Sequence, residues 1–497
     1  MTVRASQFDL AEVDLARSNL DILKELGTSL LEEYPEDYSS CRRRYALAGI
    51  CSTRNIFSLD GAHSCKRIVC ANIRRASDQA CLELAIGNEF HPDFGNGYLP
   101  RTAAYEKWRK LASDIPWQEH IELIRKVIID LQDIGWFLPM AQCSAMTELP
   151  FRLDTRNRTF SSFPTKVSNL ATAPLRSVKA PEIAVKGTWD EAPISRVAGI
   201  LNDSAYSPLF SDRPKFRPAG FGEPCQASIV LVPQNGDLDT EAEEVNQIGE
   251  LETSGQIFSV CKPSSLSNRF PLGNVLFGLG MRLGAIPWTT RMSHESVITA
   301  MDAGHRAEKA KSRWAVAAYD TKSQRTKLHV RDGALQENLD DLFSDESIGS
   351  NDIRAELWRD GKLHARDRRL IESRFPSAPI VEIIKRPDAV LFRGSLDNPS
   401  PPRPGDAVVG PDGSVLVQNS VCERNGSYLR PLRARSSDIE PEALCSDLVA
   451  LTARPTRSLF HVSTLPAPVY FADRASKLSL SGWLSAVGNG WRLPPIN

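Results

Sequence analysis

Apolar runs with polar ends dominate the C-terminal part of the chain. The run Ser296–Met301 stops at Asp302, and the segments Arg313–Tyr319 and Lys327–Val330 follow it. Short apolar runs bounded by charged or turn residues are typical of β-strands. The pattern therefore predicts three neighbouring strands in a meander, the first of them buried and carrying the Asp302 carboxylate at its tip.

The middle of the chain alternates between strand-like and helix-like patterns. Ala227–Pro233 and Gln256–Cys261 are apolar runs of strand length, and an acidic helical segment, Thr240–Glu252, lies between them. A longer apolar segment, Pro271–Trp288, follows the second run. This strand–helix–strand–helix order predicts a small α/β fold.

The first half of the chain has a weaker pattern. Leu10–Glu33 and Trp117–Leu138 carry apolar residues at helical spacing, which predicts two amphipathic helices. The stretch 150–190 is rich in Ser, Thr, Pro and Arg without periodicity, and Ser204–Pro224 is irregular as well. Because such composition is typical of linkers, we expect an extended connector before the α/β region.

Three further acids follow the strand-end aspartate. Glu337 lies in a short helical segment, Asp360 ends an apolar run in Arg-Asp-Gly, and Asp473 follows a proline-rich turn. A second Arg-Asp-Gly contains Asp332, but Asp-Gly is favoured in hairpin turns, and a turn explains this copy better. Four carboxylates that converge repel one another unless cations neutralise them, and oxygen ligands suit Mg²⁺ or Mn²⁺.

The order and the flanks of these acids resemble the PIWI domain of Argonaute proteins. In that family a strand ends at the first catalytic Asp, a Gln-Glu segment carries the second acid and Arg-Asp-Gly the third. A helix after a proline-rich turn carries an Asp or His in its first turn. The resemblance assigns Asp302, Glu337, Asp360 and Asp473 as catalytic residues and as ligands of two Mg²⁺ or Mn²⁺ ions. Glu346 and Glu356 are rivals of Glu337 for the second position.

The segment Pro271–Trp288 resembles the closing helix of the Argonaute MID domain, which binds the 5′-phosphate of a guide strand. The family has an Asn early in this helix, as Asn274 is here. Four positions that bind phosphate in the family hold other residue types in this chain, namely Glu243, Gln247, Ser259 and Gly278. Arg282 keeps the charge of the last family Lys, and Lys262 is a second candidate contact for the guide.

The acidic segment before the second strand opposes phosphate binding. Asp237–Glu252 contains seven acids and no Lys or Arg, and negative charge at a helix N-terminus complements the helix dipole that would otherwise attract phosphate. Either the guide end is bound differently, or it is not a phosphate, or the alignment with the family has slipped.

Together these features predict an α/β fold with a C-terminal RNase H-like PIWI domain, a small α/β MID-like domain before it, and a mixed, partly helical N-terminal region. The predicted boundaries are 1–150 for an uncharacterised, partly helical region, 151–225 for the connector, 226–289 for MID and 290–497 for PIWI. A length of 497 residues suits about two to four domains. The part before MID is short for all the modules of a full-length Argonaute, so we expect the PAZ domain to be absent.

The chain is nearly neutral overall, but two stretches of it are rich in basic residues. The formal net charge is −1, so a nucleic-acid protein of this composition must concentrate its basic residues. The stretch His305–Arg331 holds eight Lys or Arg against two acids, and Arg354–Arg386 is also basic on balance. Both stretches flank the acids, which favours a channel for a phosphate backbone. Arg359 and Lys385 are the expected backbone contacts.

Cysteine usage and the N-terminus bear on the compartment. Ten cysteines are scattered without a Cys-x-x-Cys pair, and the first residues are polar and mixed in charge. A reduced cytoplasm therefore fits best. His63, Cys65, Cys70 and Cys81 cluster in sequence, but their spacing matches no standard zinc pattern.

Three functions agree with these patterns. The first, which we favour, is an Argonaute-like, nucleic-acid-guided endonuclease in prokaryotic defence against plasmids or phage. Its partners are a short RNA or DNA guide and the complementary target strand. The second is a catalytically silent, guide-loaded sensor that activates a partner effector protein, as the altered phosphate positions suggest. The third is a guide-independent RNase H-like nuclease.

Overall fold

The structure, a computed structural model, describes most of the chain. The described residues are 2–10, 17–40, 50–58, 64–75, 80–91, 111, 114–141, 143–146, 149, 151–163, 170, 173–188, 192–204, 207, 209–231, 250–251, 256–261, 263, 269–305, 312–343, 354–385, 387–424, 426–456 and 463–477. Lys262, Glu346 and most of the predicted acidic helix Thr240–Glu252 lie outside them.

Strands outnumber helices in the described part of the chain. The helices are α1 (Asn19–Glu33), α2 (Trp117–Asp133), α3 (Ile194–Ser204), α4 (Arg269–Arg282), α5 (Leu335–Leu342), α6 (Ala365–Arg374), α7 (Pro441–Thr452) and α8 (Ala467–Lys477). The strands are β1 (Val3–Ala5), β2 (Gln7–Asp9), β3 (Tyr38–Ser40), β4 (Ile50–Ser58), β5 (Ser64–Arg75), β6 (Ala80–His91), β7 (Ser144–Met146), β8 (Leu153–Asp154), β9 (Thr159–Phe160), β10 (Glu182–Gly187), β11 (Lys215–Pro218), β12 (Ala227–Leu231), β13 (Ile257–Cys261), β14 (Thr289–Thr290), β15 (Ser296–His305), β16 (Ser312–Asp320), β17 (Arg325–Asp332), β18 (Arg354–Asp360), β19 (Ile380–Ile384), β20 (Leu391–Gly394), β21 (Pro399–Ser400), β22 (Ala407–Val409), β23 (Val415–Val417), β24 (Glu423–Arg424), β25 (Ser427–Tyr428) and β26 (Leu432–Arg435).

The chain forms two compact units. The first combines Met1–Leu149 with Ile384–Arg435, and the second combines Pro150–Ile383 with Ser436–Asn497. The segment Ile384–Arg435 lies inside the predicted PIWI region in sequence but packs with the N-terminal part. The four-part division stays a prediction, because compact units are defined by packing between distant segments and the patterns above are local.

The first unit is built on an antiparallel sheet with the strand order β2-β6-β5-β4-β3. Helix α1 buries Ile22, Leu26 and Leu30, spaced four apart, in the same core as α2. The Ser18 hydroxyl accepts a hydrogen bond from the Asp21 backbone N–H at 3.2 Å, an N-cap that fixes where α1 begins. Both predicted N-terminal helices are therefore present, in shortened form.

A buried ion pair joins two sheets of the first unit. Glu83 on β6 accepts from Arg433 Nη1 at 2.8 Å, and Arg433 lies on β26 of the sheet β26-β23-β22-β7. Gln7 Nε2 also donates to the Glu83 carboxylate at 2.7 Å. The remaining strands of this unit include the small sheet β1-β20-β21.

In the cysteine cluster of the first unit, the three cysteines that the structure describes do not come together. Cys65 and Cys70 lie five residues apart on β5, which separates them by roughly 16 Å along the strand. Cys81, on the neighbouring strand, pairs opposite Arg74 rather than either of them. His63 lies outside the described residues.

The MID-like region is a parallel sheet with the order β11-β10-β12-β13. The predicted strands of this region are present as β12 and β13, and the apolar segment that follows contains α4. The sheet is larger than the sequence indicates, because β10, α3 and β11 lie in the stretch we expected to be a connector. The periodicity of β10 is concealed by Lys186, a fully buried lysine that donates to Phe221 O at 3.0 Å and Gln256 Oε1 at 3.1 Å.

The PIWI-like region contains five strands in the order β17-β16-β15-β18-β19. The predicted meander is confirmed, since β15, β16 and β17 pair antiparallel in sequence order. Strand β18 then adds to β15 in parallel, and β19 adds to β18 in parallel. Helices α5 and α6 share an apolar core with this sheet, and α8 packs on β15 and β16.

Membrane-spanning helices are not found in the described part of the chain, where no helix is both long enough and apolar enough to cross a bilayer.

Candidate metal centre

The first predicted acid lies inside the central strand rather than at its tip, because β15 stays paired with β16 as far as His305. Strand β15 pairs with β16 on one side and with β18 on the other, and Asp302 lies opposite Ala315 of β16. The side chain of Asp302 is only 6% exposed. A central strand cannot shift without breaking two ladders of hydrogen bonds, so it is a rigid mount for a carboxylate.

The third acid lies beside the first because the two strands are parallel. Met301 pairs with Arg359, so the next residues, Asp302 and Asp360, are carried by the same end of β15 and β18. Gly361 follows with φ of 86°, a conformation that L side chains rarely adopt, and lets the chain leave the sheet at this point. The Arg-Asp-Gly sequence thus works as a strand end.

The last acid lies deeper in its helix than the sequence indicates. We expected Asp473 in the first turn, but α8 begins at Ala467, which makes Asp473 the seventh helical residue. The reason is Pro468, which looks like a helix breaker but is tolerated in the first turn, where its missing N–H has no intrahelical acceptor. The Tyr470 N–H donates to Pro466 O at 2.8 Å, so the helix starts directly after Pro466.

The three aspartates converge. Asp302, Asp360 and Asp473 each offer a carboxylate oxygen, and these oxygens lie within 4.8 Å of one another. Asp302 and Asp473 are buried and Asp360 is half-buried. This is the one such group of possible metal-ligating side chains found in the described part of the chain.

Electrostatic repulsion makes this arrangement costly without a cation. Two carboxylates about 4 Å apart repel by roughly 4 kcal/mol at an effective dielectric constant of about 20. One positive charge within the protein offsets part of this: Arg359 Nη1 lies 3.3 Å from Asp302 Oδ1 and also donates to Met301 O at 3.2 Å. The guanidinium packs over the Trp314 ring, with 5.3 Å from Cζ to the ring centroid.

A buried serine also contacts the group. Ser476 Oγ lies 2.7 Å from Asp302 Oδ2 and 3.0 Å from the Asp473 carbonyl oxygen. Helix α8 approaches β15 very closely here, since a Cβ added to Gly304 would lie 2.2 Å from Ser476 O. A glycine is therefore required at position 304 for this helix to reach the end of the strand.

Glu337 is not part of the group. It lies in the first turn of α5 and is exposed, and none of the described residues forms a side-chain hydrogen bond or ion pair with its carboxylate. Its rival Glu356 is buried in the middle of β18, where it accepts from Trp358 Nε1 at 2.9 Å and contacts His294 Nε2. Three of the four predicted acids therefore come together.

The predicted nucleic-acid contacts have different surroundings. Arg282, at the end of α4, is 7% exposed, and its Nη1 donates to Phe258 O at 2.7 Å and to Ser259 Oγ at 2.6 Å. Burial lowers the pKa of Arg282 to about 9. Lys385 follows β19 and is half-buried, and Lys262 lies outside the described residues.

Sequence patterns alone did not single out Ser476, Gly304 and Trp314. A signal existed for Ser476, because residues three apart on a helix share a face and Ser476 follows Asp473 at that spacing. Trp314 and Gly304 are set by pairing across strands, as Ala303 lies opposite Trp314 in the ladder.

Known proteins resemble this chain in structure alone. No protein-family model matches the sequence, and no curated protein matches it. Clostridium butyricum Argonaute, bound to a guide DNA and a 19-mer target DNA, superposes with a TM-score of 0.67 at 11% identity, covering 95% of this chain and 87% of that one. Drosophila Piwi gives a TM-score of 0.64 at 10% identity, covering 97% and 87% of the two chains. A. aeolicus Argonaute gives 0.58 at 14% identity, covering 93% and 83%. The chain therefore has an Argonaute-like fold, in which an α/β MID-like region precedes an RNase H-like PIWI region.

Proposed function

We propose that this protein is a nucleic-acid-guided endonuclease that cleaves a target strand by divalent-metal-dependent phosphodiester hydrolysis. One observation carries the proposal: three carboxylates from two neighbouring parallel strands and one helix lie within 4.8 Å of one another on an Argonaute-like fold. A fold by itself hosts many functions, so the proposal depends on this group of acids and not on the fold alone.

The donor set fits a hard divalent cation. All three groups are carboxylates, with no His or Cys among them, and oxygen-only ligands suit Mg²⁺ or Mn²⁺. Asp302, Asp360 and Asp473 would hold the ions. Two such ions, when bound, activate a water and stabilise the leaving oxygen of a phosphodiester.

The remaining charged groups would act around this centre. Arg359 holds the Asp302 carboxylate and stacks on Trp314, so in this proposal it maintains the acid group while the phosphate backbone approaches. Glu337 is proposed as a fourth acid that joins the others once nucleic acid is bound. The Glu337 side chain is exposed, so it can change its rotamer while Leu335 and Leu342 keep α5 packed in the core.

A guide and a target are the proposed partners. The Clostridium butyricum structure contains a guide DNA and a target DNA, and we extend that pairing to this chain without choosing between RNA and DNA. The strand order of the MID-like sheet reverses between β10 and β12, since β11 lies on one side of β10 and β12 and β13 lie on the other. In open parallel sheets, ligands bind beyond the carboxyl ends of the strands at such a point. Lys262 and Lys385 stay candidates for backbone contacts. Arg282 would support the guide site from inside, through Ser259.

The proposed setting is the cytoplasm of a prokaryote, in defence against plasmids or phage. In that setting base pairing with the guide selects the target, while the protein binds backbone and shape.

Cleavage of a labelled single strand tests the proposal directly. Purified protein is incubated with Mn²⁺ or Mg²⁺ and with guides that are RNA or DNA, each with a 5′-phosphate or a 5′-hydroxyl. We expect one cut at a fixed distance from the guide end, and its loss in Asp302→Ala/Asp360→Ala. The matched control, Asp212→Ala/Asp438→Ala, removes two exposed acids of the same unit and should cut normally.

The same assay separates a second candidate function. A guide-loaded sensor that activates a partner effector is favoured by one observation, that Glu337 lies apart from the other acids. Guide-dependent target binding without any cut would select this sensor and reject the nuclease. Cutting that is independent of every guide would instead select a guide-independent nuclease.

A further inference from the structure

The hydroxyl of Ser476 lies between two of the three acids. Its Oγ is 2.7 Å from Asp302 Oδ2 and 3.0 Å from the carbonyl oxygen of Asp473. The side chain is only 2% exposed. One group thus contacts both the Asp302 carboxylate and the helical turn that carries the other buried acid.

The chemistry of these contacts fixes where the proton lies. A serine hydroxyl has one proton to donate, and both neighbouring atoms are acceptors. A hydrogen bond to a carboxylate is roughly twice as strong as one to a neutral carbonyl. The Ser476 proton is therefore shared towards Asp302 Oδ2, and the Asp473 carbonyl provides the weaker contact.

Asp302 is consequently held from two sides. Ser476 donates to Oδ2, and Arg359 Nη1 lies 3.3 Å from Oδ1. The terminal torsion of an aspartate has a broad energy profile, so donors on both oxygens are what fixes the plane of the carboxylate. Each oxygen keeps a further lone pair that can bind a cation.

We propose that Ser476 is a positioning residue of the metal centre, which orients the Asp302 carboxylate and fixes it to the helix that carries Asp473. This inference rests on the proposed function, because it requires that the acids bind a metal ion. Groups that orient metal ligands typically change metal affinity by about 10- to 100-fold when they are removed.

The simpler explanation of Ser476 is a helix serine that bonds back to its own backbone. Such serines are common and satisfy only their own hydroxyl. In that case the loss of the hydroxyl would change stability slightly and leave metal affinity unchanged. Direct metal binding distinguishes the two, whereas cleavage activity alone would not.

The experiment measures Mn²⁺ affinity of the full chain without nucleic acid, from the electron paramagnetic resonance signal of free Mn²⁺ during a titration. We expect Ser476→Ala to weaken binding about tenfold, which corresponds to about 1.4 kcal/mol. Ser476→Cys leaves no cavity, because its sulfur is larger than the hydroxyl oxygen, but it offers only a weak donor, so it should weaken binding by a similar factor. The matched control is Thr452→Val, which removes another buried helix hydroxyl, one that donates to Leu448 O at 2.7 Å. It should leave Mn²⁺ affinity unchanged.

Asp302→Asn is the reference for lost metal binding, and thermal unfolding shows whether each variant is folded. If the wild type binds Mn²⁺ no more tightly than Asp302→Asn, the metal centre is wrong, and the role of Ser476 fails with it. If the wild type binds but Ser476→Ala and Ser476→Cys bind equally well, only the role of Ser476 is overturned. Should Ser476→Ala prove unfolded, Ser476→Cys decides alone, since it leaves no cavity.

Discussion

Two arginines of the second unit, Arg282 in the MID-like region and Arg359 in the PIWI-like region, have opposite surroundings. Arg282 is buried, and its Nη1 donates to a backbone carbonyl and a serine hydroxyl. Burial lowers its pKa to about 9. Arg359 contacts a carboxylate, Asp302, which itself lies among two further acids.

The comparison teaches where function is to be sought in this fold. In the MID-like region, Lys186 and Arg282 donate hydrogen bonds to neutral oxygens of the same region. Such bonds stabilise a buried charge and indicate a structural role for both residues. In the PIWI-like region three carboxylates lie within 4.8 Å of one another, and Arg359 contacts one of them. Closely placed groups of like charge are typical of functional sites.

The largest effect of a substitution is expected at Gly304, where α8 approaches β15 very closely. A Cβ at this position would lie 2.2 Å from Ser476 O, a backbone atom that cannot move without shifting α8. We expect Gly304→Ala to lower the free energy of unfolding by about 3 kcal/mol and to abolish tight Mn²⁺ binding. Chemical denaturation and Mn²⁺ titration measure the two effects.

Gly220→Ala is the matched control for that variant, because no heavy atom lies within 4 Å of the Cβ it would add. Equal stability of the two alanine variants would show that the close approach of α8 to β15 is not needed.

A smaller effect of a substitution is expected at Glu337, which lies outside the group of three acids. If Glu337 joins the acids only when nucleic acid is bound, Glu337→Gln should reduce guided cleavage about a hundredfold, or about 2.7 kcal/mol. Its Mn²⁺ affinity without nucleic acid should stay unchanged, since the carboxylate lies outside the acid group. Single-turnover cleavage and Mn²⁺ titration measure these quantities, with Asp340→Asn as the control on the same helix. Cleavage at the wild-type rate would remove Glu337 from the site.

The smallest effect is expected at Arg282. Arg282→Met fills a similar space but leaves Phe258 O and Ser259 Oγ without this donor, which should lower the free energy of unfolding by about 2 kcal/mol. Mn²⁺ affinity should not change, because Arg282 bonds to Phe258 and Ser259 of the MID-like region and is not one of the three acids. Denaturant unfolding is compared with Arg213→Met, an exposed arginine that donates to Asp203 O at 2.9 Å. A weaker Mn²⁺ affinity in Arg282→Met would contradict the contrast between the two regions.

The local elements of the PIWI-like region were predictable from sequence for a physical reason. Strands β15 and β16 are buried along most of their length, so their runs are largely apolar and end at charged residues. Glu356 interrupts the run of β18, which is found by its Arg-Asp-Gly end instead. The MID-like strand β10 could not be found in the same way, because Lys186 interrupts its run. Only distant carbonyl oxygens make that lysine acceptable inside a strand.

The candidate site was likewise predictable from the sequence only in part. The sequence by itself indicated that Asp302 and Asp360 lie on strands, and the order of segments in the PIWI resemblance selected Asp360 over Asp332. Tertiary structure decided that these two meet Asp473, since parallel pairing of β15 with β18 and the packing of α8 are set by contacts between distant residues. It also left Glu337 apart and brought in Ser476, which bonds to an aspartate 174 positions away in the chain. Local patterns specify the chemical type of a side chain and the element that carries it, but convergence in space depends on register and packing across the whole unit.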